Sequence, residues 1–220
     1  MELSDHVYAF PLTFERGDHE AVINPSGVET EDGLILLDAG FSGQMDDLAD
    51  ALAEHDFTLD DVETLLLTHQ DGDHAGGAED LLSRTDATVV ASTGDTPAIE
   101  GDEELVKSNR YPPVPVDVQV VDGVTFRTEA GPMRIVETPG HTPGHLSVVL
   151  PEADLLIAAD ATVADEDGLV GPNEEFTPEM ERAVDSVGKL AAFDTSHVLC
   201  YHGGFVEDAD VGATYQSLTE

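Results

Sequence analysis

Thr68-His69-Gln70-Asp71-Gly72-Asp73-His74-Ala75-Gly76-Gly77 carries four metal-competent side chains within six residues. It follows Leu65-Leu66-Leu67, a short apolar run that reads as a buried strand. Gly72 and the Gly76-Gly77 pair allow tight backbone paths and mark a place where a helix can begin. The ligand-type side chains therefore belong to a loop at a strand end, where a rigid sheet can aim them at one point. Imidazole and carboxylate together suit zinc, manganese or iron. A plain polar turn would account for Asp71 and Asp73, which are common turn residues, but not for the two histidines that flank them. Ala75 breaks the alternation of oxygen ligands that an EF-hand loop requires. The spacing of His69 and His74, with a glycine between them, is not the one-turn spacing of a zincin helix.

Outward from this loop, apolar runs alternate with turn signals. Strands are expected over 7–10, 21–24 (closed by Pro25-Ser26-Gly27), 34–37, 64–67 and 88–91. Asp32-Gly33 reads as the hairpin turn into 34–37. Met45, Leu48, Ala49 and Leu52 recur at helical spacing with acids between them, and Ala78, Leu81 and Leu82 suggest a second, shorter helix. Residues 93–115 are irregular and rich in proline and glycine. A stretch of that length is often functional, and two readings stand side by side: a lid or substrate wall, with Tyr111 as its candidate, and a plain solvated connection. In the second half, 118–121 and 124–126 read as a hairpin around Asp122-Gly123. Strands follow over 133–137, 146–150, 155–159 and 197–201. Thr177 and Pro178 are placed to start a helix whose apolar face includes Met180, Ala183, Val187 and Leu190. Two halves of strands with covering helices predict two sheets packed face to face with helices outside. No linker of distinct composition interrupts residues 1–220, which are expected to form one domain.

The charge balance is unusual. Asp and Glu number 47 against 8 Lys and Arg, for a formal net charge of −39. The acids lie among apolar elements along the whole chain, which argues against a disordered acidic tail. Most cannot be paired and must be solvated by water and cations. Self-repulsion of this size destabilises a compact state at low salt, which points to a halophile protein of a salt-filled cytoplasm. The charge argues against nucleic acid as substrate or partner, because phosphates are repelled. Met1 to His6 shows no signal-peptide pattern, and no apolar run approaches the roughly 18 residues of a membrane span. A lone cysteine, Cys200, leaves no internal disulfide and reads as a buried structural thiol. The expectation is a cytoplasmic protein acting on a small molecule, away from membranes.

Three further polar groups follow strand-like runs: His141 within Thr138-Pro139-Gly140-His141-Thr142-Pro143-Gly144-His145, Asp160 after 155–159, and His202 after 198–201. With the 68–77 loop, this order resembles the metallo-β-lactamase superfamily. That family carries a Thr-His-x-His-x-Asp-His-x-Gly-Gly loop, a Gly-His-Thr-x-Gly-His loop, a strand-end Asp and a late His. Asp38 also matches its early Asp-x-Gly turn. The resemblance runs from about Asn24 to His202. It implies a fold of the α/β class, an αβ/βα four-layer sandwich of two mixed β-sheets with flanking helices and a two-metal cleft at one edge. It further implies two divalent metal ions, zinc or alternatively iron or manganese: one held by His69, Asp71 and His141, the other by Asp73, His74 and His202, with Asp160 between them. The implied chemistry is hydrolysis by a hydroxide activated between the ions, which Asp73 would help orient, so that Asp73 is the catalytic candidate. His145 would support its turn.

Position 71 departs from the pattern, holding Asp where the family has His. Two dications would then be balanced by three carboxylates and one hydroxide, a neutral centre expected to favour harder ions and to relax any zinc preference. The Thr-Pro-Gly-His-Thr-Pro-Gly-His loop is similar to that of the glyoxalase II branch, which makes a small thioester or lactone the expected substrate. That branch often adds a C-terminal helical region for its glutathione thioester, and only 18 residues follow His202 here. A mononuclear iron dioxygenase and a metal-binding member without turnover are the competing functions. The charge reading has a direct check: the thermal midpoint should rise substantially from about 0.1 M to about 1 M salt, as screening shortens from about 10 Å to about 3 Å. A midpoint indifferent to salt contradicts it.

Overall fold

A computed structural model describes residues 1–16, 19–107 and 110–220. Among these, the short Leu-, Val- and Ile-rich runs become strands of two sheets. The first contains, in spatial order, Glu2–Ser4, Val7–Ala9, Ser26–Glu29, Leu34–Leu37, Val62–Leu66, Thr88–Ser92 and Val118–Val120, with the last four parallel. The second contains Thr125–Thr128, Gly131–Glu137, Leu146–Leu150, Leu155–Ala159, His197–Cys200 and Gly204–Val206. In it, only Leu155–Ala159 and His197–Cys200 run parallel.

The period-2 alternation of a strand sends successive side chains to opposite faces. Ile35, Leu37, Leu66 and Val90 therefore face the second sheet, packing with Ile135, Val148, Ile157 and Leu199. Leu34, Leu36, Leu65 and Val89 face the other way, against Leu48 and Leu52 of the helix Met45–Ala53 and Leu81 of the helix Ala78–Arg84. On the far side, Val136, Val149, Leu156 and Val198 meet Val187 and Leu190 of the helix Met180–Leu190 and Val211 of the helix Val211–Thr219. The order is helix, sheet, sheet, helix: the expected α/β four-layer sandwich. Strands covered on both faces are apolar throughout rather than alternating, as in Leu155–Ala159, where every residue is buried.

Several local readings change. Asp122-Gly123 is not a hairpin turn. Val118–Val120 lies in the first sheet and Thr125–Thr128 in the second, so the turn carries the chain across. Its bonds are to the second sheet: Gly123 N donates to Ile135 O at 2.9 Å, and Glu137 N donates to Asp122 Oδ1 at 2.9 Å. Ser26 and Gly27 belong to a strand rather than to a turn after Pro25. Leu12–Arg16 pairs with His19–Ile23 as a separate ribbon. Thr177 does not cap the helix Met180–Leu190, which begins three residues later. The helix Val211–Thr219 has only a weakly one-sided apolar pattern and escapes a reading by periodicity. No helix among the described residues is long and apolar enough to cross a membrane.

Candidate metal centre

The strands converge on one edge, and sharp turns at their ends lift side chains out of the sheets. Asp38, directly after Leu34–Leu37, has φ of 65°, and Ala159, immediately before Asp160, has φ of 50°. Both are left-handed conformations that non-glycine residues adopt at a cost, and such strain gathers at functional sites. The paired glycines of the 68–77 loop have a steric reason. A Cβ on Gly76 would lie 2.1 Å from Gly72 O, and one on Gly77 would lie 2.2 Å from Ala39 O.

All seven expected side chains lie together at this edge. Ligand atoms of His69, Asp71, His141 and Asp160 fall within 4.8 Å of one another, as do those of Asp73, His74 and His202. Asp160 joins the two groups: Oδ2 is 3.2 Å from His141 Nε2 and 3.5 Å from His202 Nε2, and Oδ1 is 3.4 Å from His74 Nε2. In the first group Asp71 Oδ2 stands 2.9 Å from His141 Nε2 and 3.3 Å from His69 Nε2. In the second, Asp73 Oδ2 is 3.1 Å from His202 Nε2.

A second set of groups holds these side chains in place. Asp38 Oδ2 faces His74 Nδ1 at 2.8 Å, and the Asp38 carboxylate accepts both Thr68 N and Thr68 Oγ1. This fixes the ring so that Nε2 points into the cluster, the usual arrangement behind a ligating histidine. The ring of Tyr201 stacks on His74 at 3.6 Å, and its hydroxyl donates to Asp73 O. Asp160 N donates to His145 Nε2 at 3.1 Å, which leaves Nδ1–H of His145 to meet Thr138 Oγ1 at 2.8 Å. Asp95, fully buried, accepts from Gln70 N, Gln70 Nε2, Thr142 Oγ1 and Gly144 N, at 2.6 to 3.1 Å. It clamps the 68–77 loop to the 138–145 loop. Asp95 had no signal in the sequence, because it belongs to no ligand pattern and its partners are remote along the chain.

Does this donor set fit divalent cations? His69 Nε2, His74 Nε2 and Asp160 Oδ1 are buried and have no hydrogen-bond partner among the described residues. Orphaned buried polar atoms are costly. Here they belong to two adjoining groups, His69 with Asp160 in one and His74 in the other, each of which a cation would coordinate, and imidazole with carboxylate is the right chemistry for one. The electrostatics agree. Burial alone would lower the basicity of His74, yet Asp38, Asp160 and Asp73 hold it well above the ordinary histidine value. Burial would raise the Asp71 carboxyl, yet His69 and His141 hold it far below the carboxylate range. The His74 shift describes a place that stabilises positive charge. The Asp71 shift keeps that carboxylate ionised and able to hold a cation. Burial lowers His141, leaving its imidazole neutral enough to be a ligand. Cys200, by contrast, is pushed up to about 12, chiefly by burial, and stays a thiol packed against Thr162.

Asp71, Asp73, His141, Asp160 and His202 of the cluster floor a cavity of about 320 Å³, whose other walls are Phe14, Phe41, Val163, Asn173, Phe176 and Lys107. A wider hollow of about 650 Å³ lies between Glu79 and Asp117 but has no histidine in its lining. Lys107 comes from the irregular stretch 93–115. Its ammonium lies 2.5 Å from Asp71 Oδ2 and 2.6 Å from His141 Nε2. Tyr111 points its hydroxyl at Gln70 O, at 2.9 Å, and so anchors that stretch rather than lining the cavity.

Two mixed sheets between helices, with this His/Asp cluster at their common edge, define a metallo-hydrolase class. Residues 22–202 match the metallo-beta-lactamase superfamily, and the chain belongs to it. Among curated relatives, a probable metallo-hydrolase of Bacillus subtilis, YflN, is 27% identical, covering 77% of this chain and 75% of its own length. A hydroxyacylglutathione hydrolase of Cereibacter sphaeroides is 29% identical over 63% of this chain. The match spans only 47% of that longer protein. Among solved structures, a metallo-beta-lactamase family protein of Thermus thermophilus superposes with a TM-score of 0.79 at 21% identity, covering 98% of this chain and 79% of its own.

The Asp95 clamp is open to test. Asp95→Ala leaves several buried donors without an acceptor and should destabilise the fold by about 3 kcal/mol. Denaturant midpoints in molar salt measure this, and a loss within about 0.5 kcal/mol, typical of an ordinary surface change, would show that the two loops are held by other contacts.

Proposed function

We propose that this chain is a two-ion hydrolase that opens a small ester-like substrate, a thioester or a lactone. The observation that carries the reading is the gathering of buried His69, His74 and Asp160 atoms, without hydrogen-bond partners among the described residues, behind a cavity of substrate size lined by Asp71, Asp73, His141, Asp160 and His202. His69, Asp71 and His141 would hold one divalent ion, and Asp73, His74 and His202 the other, with Asp160 shared. When bound, such ions supply an activated water near neutral pH and offset the negative charge that develops on an opened carbonyl. The remaining work falls to the chain. Phe14, Phe41, Phe176 and Val163 offer apolar surface to an acyl group and exclude water, while Asn173 supplies a polar contact at the same wall. Burial works to raise Asp73, but His74 and His202 more than offset it, so its carboxylate is held ionised, fit to bind a cation and to orient an attacking water by accepting its hydrogen bond. Asp71 in place of histidine favours harder ions, so zinc is joined by manganese or iron as a competent metal.

Support for the reaction class comes from the superfamily and from hydrolases among the relatives. The thioester or lactone assignment rests on the likeness of the 138–145 loop to the glyoxalase II branch and on the apolar cavity. The acidic surface supports a halophilic, cytoplasmic setting, with residues 1–220 acting as one unit. One observation favours a second reading. His69, Asp71 and His141 form the two-histidine, one-carboxylate set of mononuclear iron oxygenases.

A panel of thioesters and lactones, run in molar salt with defined metals, tests the proposal. Turnover is expected with at least one substrate class, falling by about a hundredfold or more in Asp73→Ala and His74→Ala. Loss of a ligand should cost at least as much as loss of its supporting partner, which costs up to about a hundredfold. Activity that survives both substitutions would defeat the proposal. Stable iron with substrate-dependent oxygen uptake and no hydrolysis would transfer the assignment to the second reading.

A further inference from the structure

The chain has two lysines, Lys107 and Lys189, among its 8 basic residues. Lys189 pairs with Asp122 at the surface. Lys107 instead brings its ammonium to the first group of ligand atoms, 2.5 Å from Asp71 Oδ2 and 2.6 Å from His141 Nε2, with only a fifth of its side chain exposed. Those two acceptors are themselves 2.9 Å apart. The ammonium thus caps a pair of converging lone pairs, the position a metal ion would take. Nor is it there by reach alone. Val106 N donates to Gln70 Oε1 at 2.7 Å and Tyr111 OH donates to Gln70 O at 2.9 Å, so the lid is tied down close to Lys107 on both sides. The tether is the residue next to Asp71, and Gln70 is in turn locked by Asp95.

We infer that Lys107 is the resident cation of the first position, competing there with a divalent ion for Asp71 and His141. This rests on the two-ion reading above and refines it. One ion binds tightly at Asp73, His74 and His202 with Asp160, and a second enters only by displacing the lysine. The departure at position 71 gains a physical reason. A carboxylate makes a charge-assisted bond to an ammonium, whereas a neutral imidazole in its place would hold it less firmly. Lys107 and one divalent ion together offset the three carboxylates Asp71, Asp73 and Asp160. The centre is therefore neutral before a second ion arrives. Once displaced, Lys107 remains at the wall of the cavity as a cation facing the substrate.

Titration of the metal-stripped protein with cobalt(II) in molar salt, followed by calorimetry and by the visible spectrum, tests the inference without any assay of activity. The wild type should bind one equivalent tightly and a second more weakly by about tenfold or more, the cost of one charged hydrogen bond. Lys107→Met should tighten the second by about the same factor and leave the first unchanged. Lys107→Arg, which keeps the charge, should behave as wild type. Two equivalents of equal affinity in the wild type, unaltered by Lys107→Met, would overturn the lysine inference and leave the two-ion reading intact. Weaker second binding in Lys107→Met would also overturn it. No binding of cobalt by any form would remove both.

Discussion

Everything at the working edge of this fold follows from like groups facing one another out of water. Asp160 stands within 3.5 Å of ring nitrogens from His74, His141 and His202, while Asp71 and Asp73 crowd the same few ångströms. Carboxylate oxygens and imidazole lone pairs all present electron density, and burial removes the water that would otherwise separate them. Only positive charge reconciles them. The raised basicity of His74 and the lowered pKa of Asp71 both come from imidazole and carboxylate being set against each other.

The rest of the architecture serves to maintain that unfavourable gathering. Its ligand loops leave strands that are mostly buried where they approach the cluster, so neither sheet can relax easily to let the loops drift apart. Left-handed turns at Asp38 and around Ala159 tighten the exits. Behind the cluster, Asp38 fixes His74, His145 supports the backbone of Asp160, and Asp95 ties Gln70 to Thr142 and Gly144. Lys107 adds a cation of the chain's own. Outside, the net charge of −39 imposes the same demand on a larger scale, met by solvent cations rather than by built-in ones.

Much of this was legible in the chain itself, for identifiable reasons. Apolar runs such as 34–37 and 155–159 announce strands because both of their faces are covered. The helix over Met45–Ala53 declares itself by period, with Leu48 and Leu52 inward and acids outward. Histidines and aspartates at strand ends, in the order of a known family, mark the edge where the loops meet. What stayed hidden depends on where the chain goes in space. Asp122-Gly123 has the composition of a hairpin turn but serves as a bridge between sheets, since its partners, Ile135 and Glu137, lie beyond the turn. Asp95 looks like any acid in an acidic protein until its four donors are seen. Lys107 lies in a stretch without period, 36 positions from Asp71, and only the folded lid brings the two together.

Anomalous diffraction from crystals soaked with a divalent metal tests the central claim most directly. The account predicts a strong peak within about 2.0 to 2.3 Å of His74 Nε2 and of an Asp160 oxygen, the span of ordinary nitrogen and carboxylate ligation. Peaks confined to surface carboxylates, with the His/Asp cluster empty at saturating metal, would contradict it.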